Sequence, residues 1–268
     1  MTMNRLAINL RLFFDGALLS YIALFRWLRP MQYLASKIVM PLAQILFFSV
    51  LGLYAGGPES VSYYVTGNAM QLTAVNGIYG VTMSIGGDRW EGTLPYLFGT
   101  PANRMAMFLG RAFFHLIDGV FGVLLAFLWG VVIFGLDLTQ ADPAALLLTI
   151  LISTFSTAGL GLLMGCLSLV TLNVMFVNNT IYFLLLVFSG ANIPVLALPH
   201  WMQVISWALP LTRGIAAARL IIHGASVAEV SPLLVGEFLV GLFYATMGYL
   251  LFRWFEMQAK RRGTLEAF

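Results

Sequence analysis

The sequence is poor in charged residues, and the shortage is most severe in its middle. Asp, Glu, Lys and Arg make up only 9% of the chain, and the 70 residues from 143 to 212 contain none of them. About a quarter of the residues in an average soluble domain are charged, so a soluble fold is excluded. An uncharged apolar run of about 18 residues is enough to cross a bilayer. This central run therefore has room for two membrane spans and one additional element.

Lysine and cysteine are scarcer still. The two lysines, Lys37 and Lys260, are followed by Ile38 and Arg261, whereas a phosphate-binding loop requires Gly-Lys-Ser/Thr after a glycine-rich turn. We therefore expect a chain that is not an enzyme and that binds no cofactor or metal itself. The single cysteine, Cys166, excludes an intrachain disulfide.

Apolar residues are what the sequence has in excess. They make up 60% of the 268 residues, and the mean hydropathy is +0.90. These values predict an all-α multi-pass membrane protein, because an α-helix satisfies its own backbone hydrogen bonds in lipid. The net charge of +3 does not indicate nucleic-acid binding, since the basic residues follow membrane topology rather than one face.

Hydropathy predicts six spans within residues 31–255. With both termini in the cytoplasm, twelve of the fourteen basic residues lie inside, and only Arg213 and Arg219 lie outside. This asymmetry follows the positive-inside rule and makes residues 256–268 a cytoplasmic tail. The approximate limits of the spans are 36–55, 65–87, 107–135, 144–170, 173–191 and 231–253.

Residues 1–30 differ from the predicted spans. Apolar residues recur there at spacings of three and four, which indicates an amphipathic helix with one apolar stripe. We expect this helix to lie in the cytoplasmic membrane interface. The alternative is a seventh span that starts near Gly16, although the apolar run from Gly16 to Phe25 is short for a crossing. The stripe consists of Leu6, Leu10, Phe13, Ala17, Tyr21, Phe25 and Leu28.

Two segments carry a family resemblance. Between the second and third predicted spans the chain reads Asp88-Arg-Trp-Glu-Gly-Thr-Leu-Pro-Tyr-Leu-Phe-Gly-Thr-Pro101. This resembles the cytoplasmic signature of the type 2 ATP-binding-cassette (ABC-2) exporter permeases, although Asp88 stands where Glu is commoner there. Residues 192–225, just before the last span, resemble the corresponding broken stretch of that family, and we expect them to form a re-entrant broken helical hairpin. The residues that interrupt the helical pattern are Pro194, Pro199, Trp201 and Pro210.

The resemblance implies a function and partners. It implies an exporter permease in a bacterial or archaeal cell membrane, driven by two copies of a separate nucleotide-binding ATPase subunit that holds ATP and Mg²⁺. It also implies a second permease subunit, identical or a sibling chain. We expect a hydrophobic or amphipathic substrate such as a drug, an antibiotic or a lipid-like molecule. The alternatives are a polysaccharide or lipid-linked sugar exporter and, in other classes, a membrane scaffold or sensor or an intramembrane enzyme.

The segment 88–104 is expected to be the coupling loop that contacts the ATPase. Its apolar residues fall at spacings of three and four, which predicts one apolar face on a short helix. Asp88 and Glu91 fall in the first turn of this predicted helix, where the helix dipole stabilises negative charge. The alternative is a loop that dips into the lipid head groups. The expected coupling residues are Asp88, Arg89, Trp90, Glu91, Leu94, Leu97 and Phe98.

Polar residues inside the predicted spans are candidates for a substrate path. The resemblance places such a path beside spans one, two and five, and the candidates there are amides and phenols rather than charges. The alternative is that they only hold helices together through hydrogen bonds. The candidates are Asn68, Gln71, Asn76, Tyr79, Asn178, Asn179 and Tyr182.

Three ionisable residues also fall inside predicted spans. His115 and Asp118 lie three apart, which predicts a satisfied pair near the membrane surface or, alternatively, a proton site or half a metal site. Glu237 is costly inside a span without a partner, so we expect Arg213 or Arg219 of the predicted re-entrant segment to hold it. The alternative is that Glu237 faces water and the arginines extend to the head groups.

Overall fold

The computed structural model describes residues 2–27, 30–93, 96, 99–100, 102–168 and 173–262. These residues form ten α-helices, two short 3-10 turns and one π-helical segment, with no strand in the described ranges. The helices are α1 (Thr2–Trp27), α2 (Pro30–Gly56), α3 (Val61–Ala74), α4 (Val81–Trp90), α5 (Arg104–Phe134), α6 (Pro143–Ser168), α7 (Val174–Phe188), α8 (His200–Ala208), α9 (Thr212–Ile222) and α10 (Val227–Arg262).

Four of the described helices are long and apolar enough to cross a membrane: α2, α5, α6 and α10. The pair α8 and α9 forms a fifth apolar unit, bent by 88° at its break. The second predicted span is divided by the π-helical segment Val75–Gly80, and the fifth corresponds to α7, which has only 15 residues. The all-helical membrane class is thus confirmed, whereas the count of six spans stays a prediction.

Helix α6 lies at the centre of the fold, between α10 on one side and the α3–α4 unit on the other. Small residues permit this close packing. A Cβ atom at Gly161 would lie 1.9 Å from the carbonyl oxygen of Gly77, and one at Gly159 would lie 2.5 Å from the carbonyl oxygen of Gly241. The helix axes can approach this closely only because glycine has no side chain.

The N-terminal helix α1 packs along α5. A Cβ atom at Gly16 would lie 2.8 Å from the carbonyl oxygen of Met107, and one at Gly110 would lie 2.0 Å from that of Phe13. Of the predicted stripe, Phe13 and Tyr21 lie against rings of α5, at 5.5 Å from Phe113 and 5.3 Å from Phe114, whereas Leu10 is about half exposed. Gly16 lies in the middle of α1 and starts no separate helix. The interfacial placement of α1 stays a prediction.

The last helix extends beyond its predicted limit. Helix α10 continues to Arg262, so the expected boundary of the tail at residue 256 falls inside a helix. No glycine or proline interrupts the sequence between Gly248 and Arg262, and an α-helix continues until such a residue or a cap ends it. The predicted tail is therefore helical over its first half, as far as Arg262.

Candidate functional site: an intramembrane cavity

The π-helical segment Val75–Gly80 positions two predicted path residues. Such insertions add a residue to a helical turn and are frequent at functional sites. Within the segment, Asn76 donates from Nδ2 to the carbonyl oxygen of Leu72 at 3.2 Å. The Tyr79 hydroxyl donates to Oδ1 of Asn179 on α7 at 2.6 Å. The segment thus connects the second predicted span to the fifth through polar side chains.

These residues face a cavity of about 510 Å³ between α2, the π-helical segment, α5 and α7. This volume lies in the range of ligand pockets, which is about 300–1,000 Å³. Apolar side chains, including Met40, Pro41 and Leu72, form much of its wall. Four of the seven predicted path residues line it, namely Asn76, Tyr79, Asn179 and Tyr182.

The other three predicted path residues do not line this cavity. Asn68 is fully buried and donates to Oδ1 of Asn192 at 2.8 Å, and Gln71 accepts a hydrogen bond from Ser189. Asn178 is also fully buried. The contacts of Asn68 and Gln71 fit the alternative of hydrogen bonds that hold the helices together. Neither polar atom of the Asn178 side chain has a hydrogen-bond partner among the described residues.

The cavity also contains an ion pair that the sequence analysis missed. The Lys37 ammonium forms an ion pair with Asp118 and donates to Oδ1 of Asn76 at 3.0 Å. Both charged side chains are largely buried, which is tolerable only when the charges are paired. A lysine inside the first predicted span was the available signal, since charges within spans are rare and functional by default.

Asp118 thus has a partner that its spacing to His115 did not predict. Asp118 pairs with Lys37 of α2, and His115 lines the same cavity one helical turn away. No cluster of three or more metal-ligating side chains occurs in the part of the chain that the structure describes. The Lys37–Asp118 ion pair thus connects α2 to α5 beside the cavity.

The predicted break before the last span is present. Helices α8 and α9 meet at 88° around Pro210, and Leu211 adopts a left-handed conformation with φ of 80°. Pro199 precedes the first residue of α8, and Pro194 precedes the 3-10 turn Val195–Ala197. Trp201 is largely exposed. Proline at these positions ends or starts helical turns because it lacks a backbone N–H.

Glu237 is not held by an arginine, contrary to the prediction. Its side chain is fully buried, and its two carboxylate oxygens accept hydrogen bonds from the backbone N–H groups of Leu211 at 2.5 Å and Gly214 at 3.3 Å. No ion pair joins it to Arg213 or Arg219 within the described residues. Glu237 caps the start of α9, where the unpaired N–H groups and the helix dipole favour an anion.

The two arginines have other roles. Arg213 donates to the carbonyl oxygen of Trp207 and lies 5.4 Å from the centre of its ring. Arg219 lies 3.3 Å from the ring centre of Tyr63 and donates to the carbonyl oxygens of Gly190 and Ala191. Arg219 thus connects the bent pair α8–α9 to the first turn of α3 and to the segment after α7.

The predicted coupling loop begins inside a helix. Asp88 and Arg89 lie in the last turn of α4 rather than in the first turn of a new helix, because α4 ends only at Trp90, two residues before Gly92 with its φ of 70°. Asp88 is buried, pairs with Arg111 of α5 at 2.7 Å and accepts from the Thr93 hydroxyl at 3.0 Å. Asp88 therefore anchors this segment to α5.

The remaining coupling candidates differ in exposure. Arg89 donates to the carbonyl oxygen of Ser168 at 3.4 Å, and partial burial lowers the pKa of its guanidinium. Glu91 is exposed in the turn that follows α4. Trp90 is the last residue of α4, and the structure does not describe its side chain. Leu94, Leu97 and Phe98 also lie outside the described residues, so the apolar face of the loop stays a prediction.

The fold and the cavity define a class of protein. Apolar helices, two of them long enough to cross a membrane, surround an amphipathic cavity, as in a multi-pass membrane transport protein. The family profile of the ABC-2 type transporters matches residues 16–223, which is most of the chain. The chain belongs to the membrane-spanning family of ABC-2 type transporters. A search of curated proteins finds no significant match.

Proposed function

We propose that this chain is the permease subunit that moves a hydrophobic or amphipathic molecule out of the cytoplasm or inner leaflet. Family membership supports the role of an ABC exporter permease. The observation that carries the substrate class is the cavity beside Tyr79. Its largely apolar wall suits a hydrocarbon or aromatic body, while the amide, phenol and ion-paired groups suit a polar or charged end.

This wall favours an amphipathic substrate over a sugar polymer. A polysaccharide presents hydroxyl groups along its whole length and needs matching hydrogen-bond partners along its path. The cavity instead joins Lys37, Asp118 and Asn76 in one polar cluster, and most of its exposed wall surface is apolar even though further polar side chains line it. Such a distribution fits a molecule with one polar end.

The test compares two adjacent aromatic residues of α7. Tyr182 lines the cavity, whereas Phe183 is 63% exposed on another face of the same helix. A contact with an aromatic side chain is worth about 1.5–3 kcal/mol when it is removed from water. With a panel of amphipathic compounds in proteoliposomes, we expect Tyr182→Ala to raise the KM for transport about tenfold or more. Phe183→Ala is the matched control and should leave KM unchanged.

Two results would contradict the proposal. Equal KM values for wild type and Tyr182→Ala would remove the cavity from the substrate path. Equal losses in the Tyr182 and Phe183 variants would indicate a general packing effect on α7. The melting temperature of each purified variant separates a loss of substrate contact from a loss of folding.

We further propose that a separate ATPase drives transport through the segment that follows α4. Two ATPase subunits that hold ATP and Mg²⁺, and a second permease copy or sibling chain, complete the transporter. The apolar residues Leu97 and Phe98 are the predicted contact, since an exposed apolar patch requires a covering surface. Substitution of both by Asp should abolish co-purification with the ATPase while the permease still inserts into the membrane. Unchanged association would exclude the coupling role.

The proposed arrangement in the cell membrane has both termini in the cytoplasm. Residues 192–225 then form a re-entrant element in the outer leaflet, for which the 88° bend between α8 and α9 provides support. A cysteine placed at Ser226 should react with a membrane-impermeant maleimide in intact cells. A cysteine at Ala102 should react only after permeabilisation. The reverse pattern would overturn this orientation.

A further inference from the structure

A second cavity, here named the α5–α10 cavity, lies where α5 begins and α10 approaches its end. Its volume is about 650 Å³, and it is separate from the cavity beside Tyr79. Residues from the start of α5 form one wall, and residues from the last turns of α10 form the other. The lining residues used below are Asn103, Arg104, Leu109, Tyr249, Arg253 and Glu256.

The charges around this cavity leave an excess of one positive charge. Glu256 forms an ion pair with Arg104 through one carboxylate oxygen and with Arg253 through the other, the latter at 3.0 Å. Two guanidinium groups thus flank one carboxylate. Arg104 and Glu256 are buried, whereas the Arg253 side chain is 52% exposed. Arg253 therefore presents the excess positive charge on the open side of the cavity.

The rim of the same cavity is apolar. Leu109 on α5 is 41% exposed and Tyr249 on α10 is 45% exposed, and both line the cavity. Trp254, the neighbour of Arg253, is also about half exposed. Tryptophan and tyrosine are enriched where a span meets the lipid head groups. The cavity is therefore positively charged and bordered by exposed apolar residues. The positive charge favours an anionic group in the ligand, and the apolar residues favour a hydrocarbon part.

We propose that the α5–α10 cavity binds the phosphate head group of an anionic phospholipid, with Arg253 as the recognising residue. The phosphate oxygens accept hydrogen bonds from the Arg253 guanidinium. This group is planar and can donate two parallel hydrogen bonds to one phosphate. The acyl chains lie along Leu109 and Tyr249. Basic recesses between spans on the cytoplasmic side are suited to such head groups. A zwitterionic lipid fits less well, since its own ammonium opposes the excess positive charge.

Competition between two lipids on the full-length purified protein tests this site. Native mass spectrometry in detergent measures how much dioleoyl phosphatidylglycerol binds relative to dioleoyl phosphatidylcholine. We expect wild type to prefer phosphatidylglycerol and Arg253→Gln to reduce that preference about fivefold, the effect of one basic residue near a membrane surface. Arg253→Lys should retain part of the preference, because it keeps the charge but loses the paired hydrogen-bond geometry.

A matched control separates a specific site from general surface charge. Arg11 on α1 is 85% exposed, pairs with Asp15 and does not line the cavity. Arg11→Gln should leave the lipid preference unchanged. A second variant, Asn103→Asp, adds a negative charge to the cavity while keeping a side chain that caps α5. It should lower the preference without altering the arginine–glutamate cluster.

Three results would overturn the proposal. The first is an unchanged preference in both Arg253→Gln and Asn103→Asp. The second is an equal loss in Arg11→Gln, which would mean that the lipid responds only to overall charge. The third is displacement of phosphatidylglycerol by millimolar inorganic phosphate, which would identify the ligand as a free anion rather than a lipid.

Discussion

Replacement of Glu237 by Gln tests the assignment of this residue as the cap of α9. The substitution keeps the size of the side chain but leaves one acceptor oxygen in place of two. Either Leu211 or Gly214 then loses the acceptor of its backbone N–H group inside a fully buried site. An unsatisfied buried donor costs about 1–3 kcal/mol. The lost negative charge at a helix N-terminus adds about 0.3–1 kcal/mol.

The expected total is a destabilisation of about 1.3–4 kcal/mol. At about 2–4 °C per kcal/mol for a chain of this size, the melting temperature should fall by about 3–16 °C. Thermal unfolding of the purified protein in detergent, followed by circular dichroism, measures this fall. Glu229→Gln is the matched control, since Glu229 lies on the same helix, accepts a hydrogen bond from the backbone N–H of Ser226 and is exposed.

Two results would refute this reasoning. Equal melting temperatures for the Glu237 and Glu229 variants would show that the buried cap contributes little. Recovery of stability in a charge swap, with Arg at position 237 and Glu at position 213, would point to an ion pair with Arg213 instead. Under the capping assignment the swap should be worse than Glu237→Gln, because a cation would then face the N–H groups of α9.

Two further substitutions test the packing and the anchoring of the second predicted span. Gly161→Ala should lower the melting temperature strongly because its Cβ atom would lie 1.9 Å from a backbone oxygen, whereas Gly87→Ala, whose nearest neighbour is 3.9 Å away, should have little effect. Equal effects would exclude the close approach of α6. Asp88→Asn should destabilise by about 3 kcal/mol, because it leaves Arg111 without its carboxylate in a mostly buried site. Addition of Arg111→Gln should recover part of that loss, and an additive loss in the double variant would disprove the pairing.

Much of the class of this protein follows from the sequence alone. A stretch of 70 residues without charge cannot remain in water, and in lipid the backbone must form its hydrogen bonds within each segment. The helical membrane class was therefore predictable, as was the break around Pro210, since proline cannot continue a helix in register. The family resemblance was carried by residues 88–101, because a local motif is visible without knowledge of the fold.

The tertiary structure decided which polar residues meet. Lys37 and Asp118 are 81 residues apart, and no spacing rule connects side chains on two different helices. Glu237 was expected beside an arginine because a charge is the obvious partner for a charge. The structure supplies backbone N–H groups of α9 instead, since the bend at Leu211 directs the start of that helix toward Glu237.

The division of the predicted substrate path has the same origin. Asn68 bonds to Asn192 and Gln71 to Ser189, 124 and 118 positions later in the chain, and a π-helical segment lies between these two residues and Tyr79. The sequence of the π-helical segment, Val75-Asn-Gly-Ile-Tyr-Gly80, contains no signal that predicts the additional residue in its turn. Composition and local pattern thus determined that these helices enter the membrane and where they break. The packing of helices distant in sequence determined which side chains form the cavity, because burial and hydrogen bonding are satisfied only once all the helices are in place.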